Sequence, residues 1–263
     1  MDTKIKMDEF KLNPESVQDA VYILSEINDE FESVYLKVRE KEKRIYSDEE
    51  LIKLPFASKI NPHKKEWNLR AKSYLRFIEY LRQKKENLSF LDLGCGNGWF
   101  CGQLSKSFNH NYYCIDVNLT ELKQGRRVFN SEQIEFIYAD IFNAELPQAS
   151  FDIIIVNAAV QYFPDLNKLL NKLVNLLSEN GEIHILDSPF YSKIETVNAK
   201  KRTMDYYLVL GFKEMAENYY HHTWNELSEF KSEILYQPDS ITNRIKRVFF
   251  ERNSPFPWIK ISK

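Results

Sequence analysis

Residues 91–98, Leu-Asp-Leu-Gly-Cys-Gly-Asn-Gly, constrain the fold of this chain more than any other stretch. Phe90, Leu91 and Leu93 make the apolar run of a strand buried on both faces, and Trp99, Phe100, Leu104 and Phe108 resume at helical spacing just after the glycines. Strand, glycine turn and helix are therefore contiguous, and a ligand can reach bare backbone at the turn.

The spacing of the glycines narrows the ligand. A dinucleotide fingerprint has glycine at its first, third and sixth positions, which together seat a pyrophosphate on the helix N-terminus. Counting from Gly94, the sixth position is Trp99, and an indole there argues against NAD or FAD. The pattern acidic-x-Gly-x-Gly-x-Gly over residues 92–98 instead resembles motif I of the class I S-adenosylmethionine (SAM) dependent methyltransferases. That resemblance implies a loop around the methionine end of SAM, built from Gly94, Cys95, Gly96, Asn97 and Gly98. SAM carries no phosphate, so it needs close backbone approach and a carboxylate near its ammonium, which Asp92 would supply directly or through water.

A second apolar strand, Tyr112-Tyr113-Cys114-Ile115, ends in Asp116 about twenty residues after the loop. A carboxylate there takes both ribose hydroxyls, with Val117 beside it, although NAD domains share the feature and a strand-end Asp also serves as a helix cap. A third strand over residues 134–139 runs into Asp140-Ile141. This pair is similar to the family's adenine contact, Asp to the amino group and the apolar neighbour to the ring; Asp140 equally suits a turn before Asn143. The fourth strand, residues 151–156, is the plainest buried parallel strand and ends at Asn157. Ligands of open α/β sheets lie beyond such strand ends. Methyltransferases of DNA-base amines carry an Asn/Asp/Ser-Pro-Pro-aromatic motif here, of which this chain matches only Asn157. Small-molecule members show small and aromatic residues, as in Ala158, Ala159, Tyr162 and Phe163.

A helix with Leu166, Leu169, Leu170, Leu173, Val174 and Leu177, an Asn180-Gly181 stop and a fifth strand over residues 182–187 follow. Residues 233–236 and 256–261 read as the last two strands. The resemblance then implies an α/β, Rossmann-like, doubly wound seven-stranded sheet of order 3-2-1-4-5-7-6 with its last strand antiparallel. Residues 61–263 form the methyltransferase domain in this reading, and residues 1–60 a helical cap or dimerisation extension. Within the extension, Val17, Val21, Leu24, Ile27, Phe31, Val34 and Val38 predict one long amphipathic helix from residue 14 to about 43. Ser47-Asp48-Glu49-Glu50 opens a short helix. A third helix through Trp67, Tyr74, Phe77 and Leu81 takes the place of the family's helix over SAM, making Arg70 a candidate for the SAM carboxylate. The alternative is a solvated charge on an amphipathic face.

Beyond the fifth strand the sequence leaves the family pattern and is expected to encode the acceptor. Tyr191 leaves the strand end, residues 193–210 have helical spacing before Gly211, and His221-His222 precede a capping box, Thr223-Trp224-Asn225-Glu226. The positive end of a helix keeps an imidazole neutral, and a neutral imidazole can act as a base. His221, His222 and Tyr191 are the catalytic candidates, with Tyr162 as a positioning group; loop capping or packing on Trp224 is the other reading of the histidines. Methyl transfer itself asks mainly for in-line alignment, desolvation and removal of a proton from a hydroxyl nucleophile.

Composition bounds the rest. With 263 residues and a formal net charge of -2 the chain has no basic field for nucleic acid, so nucleic acid is disfavoured as a partner. No apolar run approaches the roughly twenty residues of a membrane span, and no signal-peptide core follows Met1. Three cysteines without a CxxC pair fit a reducing, cytoplasmic compartment and give no zinc-type set, so no metal is expected. The expected activity is transfer of a methyl group from SAM to an oxygen or nitrogen of a small molecule, with S-adenosylhomocysteine (SAH) as product and a homodimer as one use of the extension. RNA or protein acceptors, or a SAM-binding partner protein without turnover, are the alternatives.

Overall fold

A computed structural model of the chain describes residues 14–85, 87–240 and 253–263. Nine strands form one sheet: β1 (Ser16–Gln18), β2 (Val21–Ile23), β3 (Ser89–Leu93), β4 (Asn111–Asp116), β5 (Ile134–Tyr138), β6 (Phe151–Asn157), β7 (Leu177–Leu186), β8 (Lys231–Tyr236) and β9 (Trp258–Ser262). Their order is β1-β2-β5-β4-β3-β6-β7-β9-β8. From β5 onward this is the expected 3-2-1-4-5-7-6 arrangement, with β9 antiparallel to both β7 and β8. The sheet is thus larger than expected by two strands, added beyond β5.

Those two strands correct the reading of the N-terminal segment as one long helix. Asp19 (φ 48°) and Ala20 (φ 60°) close a two-residue turn between β1 and β2, the left-handed geometry that matches strand twist in a hairpin. Val21 and Ile23 are buried with Tyr22 between them, a period of two, and β2 pairs in parallel with β5. Apolar residues four apart satisfy a helix and a short strand equally, so the spacing did not distinguish them. The helix proper, α1 (Asp29–Lys41), starts where Asn28 accepts from the Phe31 N–H, with acids in its first turn and bases in its last, as its dipole favours.

The remaining helices are α2 (Asp48–Leu51), α3 (Lys64–Leu81), α4 (Trp99–Leu104), α5 (Leu119–Val128), α6 (Leu166–Leu176) and α7 (Lys193–Leu210). Helix α6 passes straight into β7 at Leu177 rather than stopping at Asn180-Gly181. Gly181 lies where the register between β6 and β7 shifts, and a Cβ there would stand 2.8 Å from the Phe151 carbonyl oxygen. Close approach, not helix termination, selects the glycine.

Alternation along the strands sends side chains into two cores. Leu91, Ile154 and Ile183 face Leu169, Leu170 and Leu173 of α6, while Phe90, Tyr112 and Ile155 face Phe77 of α3 and Phe100 and Leu104 of α4. Each such fully buried side chain stabilises the fold by about 1.5–3 kcal/mol. Asp187, just past β7, accepts from Ser73 Oγ at 2.7 Å and Ser254 Oγ at 2.9 Å. These bonds tie α3 and the approach to β9 to the same sheet end. The carboxyl ends of β3 to β7 therefore share one rim, over which α1, α3 and α7 lie. Among the described residues no helix is long and apolar enough to cross a membrane.

Candidate active site

A cavity of about 620 Å³ opens above this rim. Its floor is the turn after β3. Gly96 adopts φ 55°, and a Cβ on it would meet Glu121 Oε2 at 3.1 Å, so the turn presents naked backbone to the cavity. Gly94, Cys95, Gly96 and Asn97 all line it. Gly98 does not: it is the left-handed residue before α4, where a Cβ would strike Phe136 at 2.5 Å. Its role is to let helix and sheet approach, which corrects its expected place against a ligand.

Asp92 needs a correction as well. On β3 it shares a face with Phe90 and points beneath the turn, where it is fully buried. Cys101 Sγ donates to its Oδ2 at 3.4 Å, its Oδ1 has no partner, and burial pushes the carboxyl well above its ordinary value. Asp92, Cys101 and Cys114 bring their ligand atoms within 4.8 Å of one another. The set comes from three elements, which is why sequence spacing gave no sign of it; it lies outside the cavity.

Asp116 ends β4 on the cavity wall. Gly96 N–H donates to its Oδ2 at 2.7 Å and Asn118 N–H to its Oδ1 at 2.9 Å, so the acid shapes the glycine turn as well as facing the cavity. Burial pushes its carboxyl up to about 6 despite these bonds. Val117, Asp140, Ile141 and Asn157 join it in the lining. Asp140 accepts from Phe142 N–H at 2.9 Å and from Asn143 Nδ2 at 2.7 Å. It is thus a turn residue and a wall residue at once. Asn157 Oδ1 is buried without a partner. Arg70 also lines the cavity but is not a solvated charge: Glu66 holds it at 3.1 Å and the Trp67 ring lies 5.3 Å from its guanidinium.

The histidines are not on the wall. His222 is buried, with Nε2 at 3.0 Å from the Val160 carbonyl oxygen and Nδ1 at 3.1 Å from Glu226 Oε1. Both ring nitrogens already face fixed oxygens, so neither is placed to take a proton from an acceptor. The element that follows is one 3-10 turn, Trp224–Leu227, too short for the strong dipole that a long helix would provide. His221 stands one layer back: its Nε2 meets Thr203 Oγ1 at 2.9 Å, and its ring packs between Tyr191 and Tyr219 at 5.6 and 5.2 Å. Thr203, Tyr191 and Tyr219 line the cavity, as does Tyr162.

Several wall residues escaped the sequence reading. Phe31, Tyr35, Val38, Arg39 and Glu42 form one face of α1, and Ala199, Arg202, Thr203, Tyr206 and Tyr207 one face of α7. A usable signal was present in α7, where Ile194, Val197, Leu208 and Val209 are exposed while polar and aromatic residues turn inward. Glu121, in the first turn of α5, sits opposite Gly96; burial pushes its carboxyl up to about 7, countered by Arg39.

Residues 84–243 match the model of the family described as "Methyltransferase domain". The chain belongs to the methyltransferase domain family. It resembles the malonyl-[acyl-carrier protein] O-methyltransferase of Acetivibrio thermocellus, 33% identical over 123 residues, 44% of this chain and 43% of that protein. It also resembles the phosphoethanolamine N-methyltransferase of Plasmodium falciparum, 26% identical over 170 residues, 58% of this chain and 64% of that protein. The alignments thus take in about half of the length of the curated relatives. In fold it is similar to geranyl diphosphate C-methyltransferase of Streptomyces coelicolor, solved with SAH, at a TM-score of 0.51 and 12% identity, covering 78% of this chain and 81% of that one. SAH is the group bound in that neighbour of like fold, so SAM and SAH are the ligands to set against this site. Its residues fit that group: a bare glycine turn that any Cβ would fill, an acid at the end of β4, and an orphaned Asn157 carbonyl facing the cavity.

Proposed function

We propose that this methyltransferase modifies an oxygen or nitrogen of a small molecule enclosed with the cofactor between the strand ends and helices α1 and α7. The observation that carries the reading is the roof. One face of each helix lines the same 620 Å³ cavity as the glycine turn, a size typical of sites that surround a small ligand rather than grip a chain. Among the relatives, the Plasmodium enzyme is a phosphoethanolamine N-methyltransferase, which agrees with an acceptor of modest size, while the Acetivibrio enzyme acts on malonyl-[acyl-carrier protein], an acyl group borne on a protein. The charge of -2 gives no support to a polyanion acceptor.

In this reading the backbone of Gly94, Cys95, Gly96 and Asn97 receives the methionine end, with Arg70 near its carboxylate and Asn157 at the strand end. Asp116 accepts from the ribose hydroxyls, Val117 packs beside it, and Asp140 with Ile141 meets the adenine. Bound SAM supplies an electrophilic methyl group. The protein's work is alignment and exclusion of water. Tyr35, Tyr162 and Tyr219 have their hydroxyls pushed up by burial, so they hold their protons and orient an acceptor by donating to it. Tyr191 belongs to the same wall, and His221 positions it and Thr203 from behind. Residues 14–60 serve as the cap, because the β1-β2 hairpin extends the methyltransferase sheet and α1 lines the cavity above it. The test is titration calorimetry with SAM and SAH, followed by a labelled-methyl screen of small acids, amines and phenols against tRNA and protein extracts. Labelling only of macromolecules would overturn the reading.

A further inference from the structure

Resting on that reading, we infer that the methyl acceptor carries an oxyanion, a carboxylate or a phosphate, which docks on Arg39 and Arg202. Four guanidiniums line the cavity: Arg39, Arg44, Arg70 and Arg202. Two share one carboxylate within the protein. Glu66 takes Arg44 at 2.5 and 3.1 Å through both carboxylate oxygens and Arg70 at 3.1 Å.

The other two keep donors in reserve. Arg39 approaches Glu42 only at 3.7 Å, and its Nε is buried with no hydrogen-bond partner. Arg202 lines the cavity on the same wall as Tyr191, is exposed, and among the described residues no carboxylate lies within 4.0 Å of it. A guanidinium has five donors and no acceptor, in a fork that matches carboxylate and phosphate oxygens. A buried donor left without a partner is costly, so a ligand that brings acceptors is selected.

The wall between the two arginines has the same polarity. Tyr35, Tyr162, Tyr219 and Tyr207 pack in succession at centroid distances of 6.2, 6.0 and 6.4 Å. The acids of the cavity are otherwise engaged. Glu42 meets Arg39, Arg44 and Tyr206, Glu66 holds two arginines, and Asp116 and Asp140 accept from backbone and amide donors. Glu121 is the exception: it faces Gly96 and lies within the field of Arg39, with no hydrogen bond between the two. Tyrosine faces would also attract a cation, but Arg39 within the same wall, 5.6 Å from the Tyr35 ring, opposes one.

The experiment is calorimetric titration of the SAH-saturated enzyme, at constant ionic strength in chloride, with inorganic phosphate, acetate and ethanolamine in separate runs. Phosphate or acetate should bind and ethanolamine should not. Arg202→Gln and Arg39→Gln should each weaken the oxyanion about tenfold, as loss of a charge-assisted hydrogen bond predicts. Arg202→Lys should restore part of the loss. Preference for phosphate over acetate, or the reverse, identifies the acceptor's anionic group. Binding of ethanolamine alone, no binding of either oxyanion, or oxyanion binding unchanged in both glutamine variants overturns the inference. SAH is titrated first. Failure of the wild type to bind it counts against the cofactor reading alone, and the oxyanion runs are then judged by the same criteria on the free enzyme.

Discussion

The Tyr206 hydroxyl donates to Glu42 Oε1 at 2.5 Å, joining α7 to α1 across 164 residues of sequence. Glu42 also faces Arg39 at 3.7 Å and Arg44 at 3.4 Å, so this one carboxylate links both roofing helices over the cavity. Burial, together with the carboxylate, pushes the tyrosine up to about 12, which keeps the phenol a donor throughout the physiological range. The bond is at the surface end of the roof, where an opening motion would break it first.

Tyr206→Phe removes that bond and leaves the ring. A hydrogen bond to a charged group contributes about 1.5–3 kcal/mol when well shielded and less at an exposed position, so the roof should open several times more often with little change in global stability. Hydrogen exchange across residues 199–207 should accelerate, and SAH should protect that segment less than in the wild type. Unchanged exchange there would show that the helices are held by their other contacts.

Gly96→Val tests the floor. Its Cβ would stand 3.1 Å from Glu121 Oε2 and its backbone would be held at φ 55°, a conformation that costs a branched residue about 1–2 kcal/mol. SAH affinity should fall by about a hundredfold or more, equivalent to roughly 3 kcal/mol. Circular dichroism should remain that of the wild type, because the sheet lies below the turn. Retained SAH binding would move the cofactor elsewhere.

Strong local signals made the floor legible and weak ones hid the roof. The turn over residues 91–98 combines a double-sided apolar strand, three glycines and an amphipathic restart, and each of these acts within a few residues of itself. Asp116, Asp140 and Asn157 followed because each ends a recognisable strand, and all three reach the cavity. Tyr35, Arg39 and Arg202 gave no such sign, since their meeting depends on how α1 and α7 cross the rim. The β1-β2 hairpin differs from the expected helix because Val17 and Val21 fit either period, while of the deciding turn residues Asp19 suits a left-handed conformation but Ala20 is unusual in one. Asp92 was misplaced by family pattern: strand parity sends it down, toward Cys101.

The two buried acids beside the glycine turn predict how stability responds to pH. Burial pushes Glu121 up to about 7 and Asp116 up to about 6, so the folded enzyme holds these protons more tightly than the unfolded chain. Their favourable contribution is complete below about pH 4 and is lost as pH rises through 6 to 7. Glu121→Gln removes the larger shift and should make the ligand-free protein more stable at pH 8 by about 1–3 kcal/mol, with water in the cavity reducing the effect. At pH 4 the two proteins should melt together. Thermal melts at both values check this, and a wild type that gains stability between pH 5 and 8 relative to the variant would reverse the assignment.

The histidine pair separates a structural from a chemical role. His222 bridges the Val160 carbonyl, just after β6, to Glu226, which in turn accepts from Thr223. His222→Ala empties a buried volume and leaves the Val160 carbonyl and Glu226 without this partner, a loss of about 2–4 kcal/mol in stability. Methyl transfer measured below the lowered melting temperature should persist within a few fold, because no atom of His222 reaches the cavity. His221→Phe keeps the ring between Tyr191 and Tyr219 but removes the contact to Thr203. A positioning residue should then raise KM more than it lowers kcat, and the acidic limb of the pH profile should stay where it is in the wild type. Disappearance of that limb in His221→Phe would instead make the imidazole the group that takes the acceptor's proton.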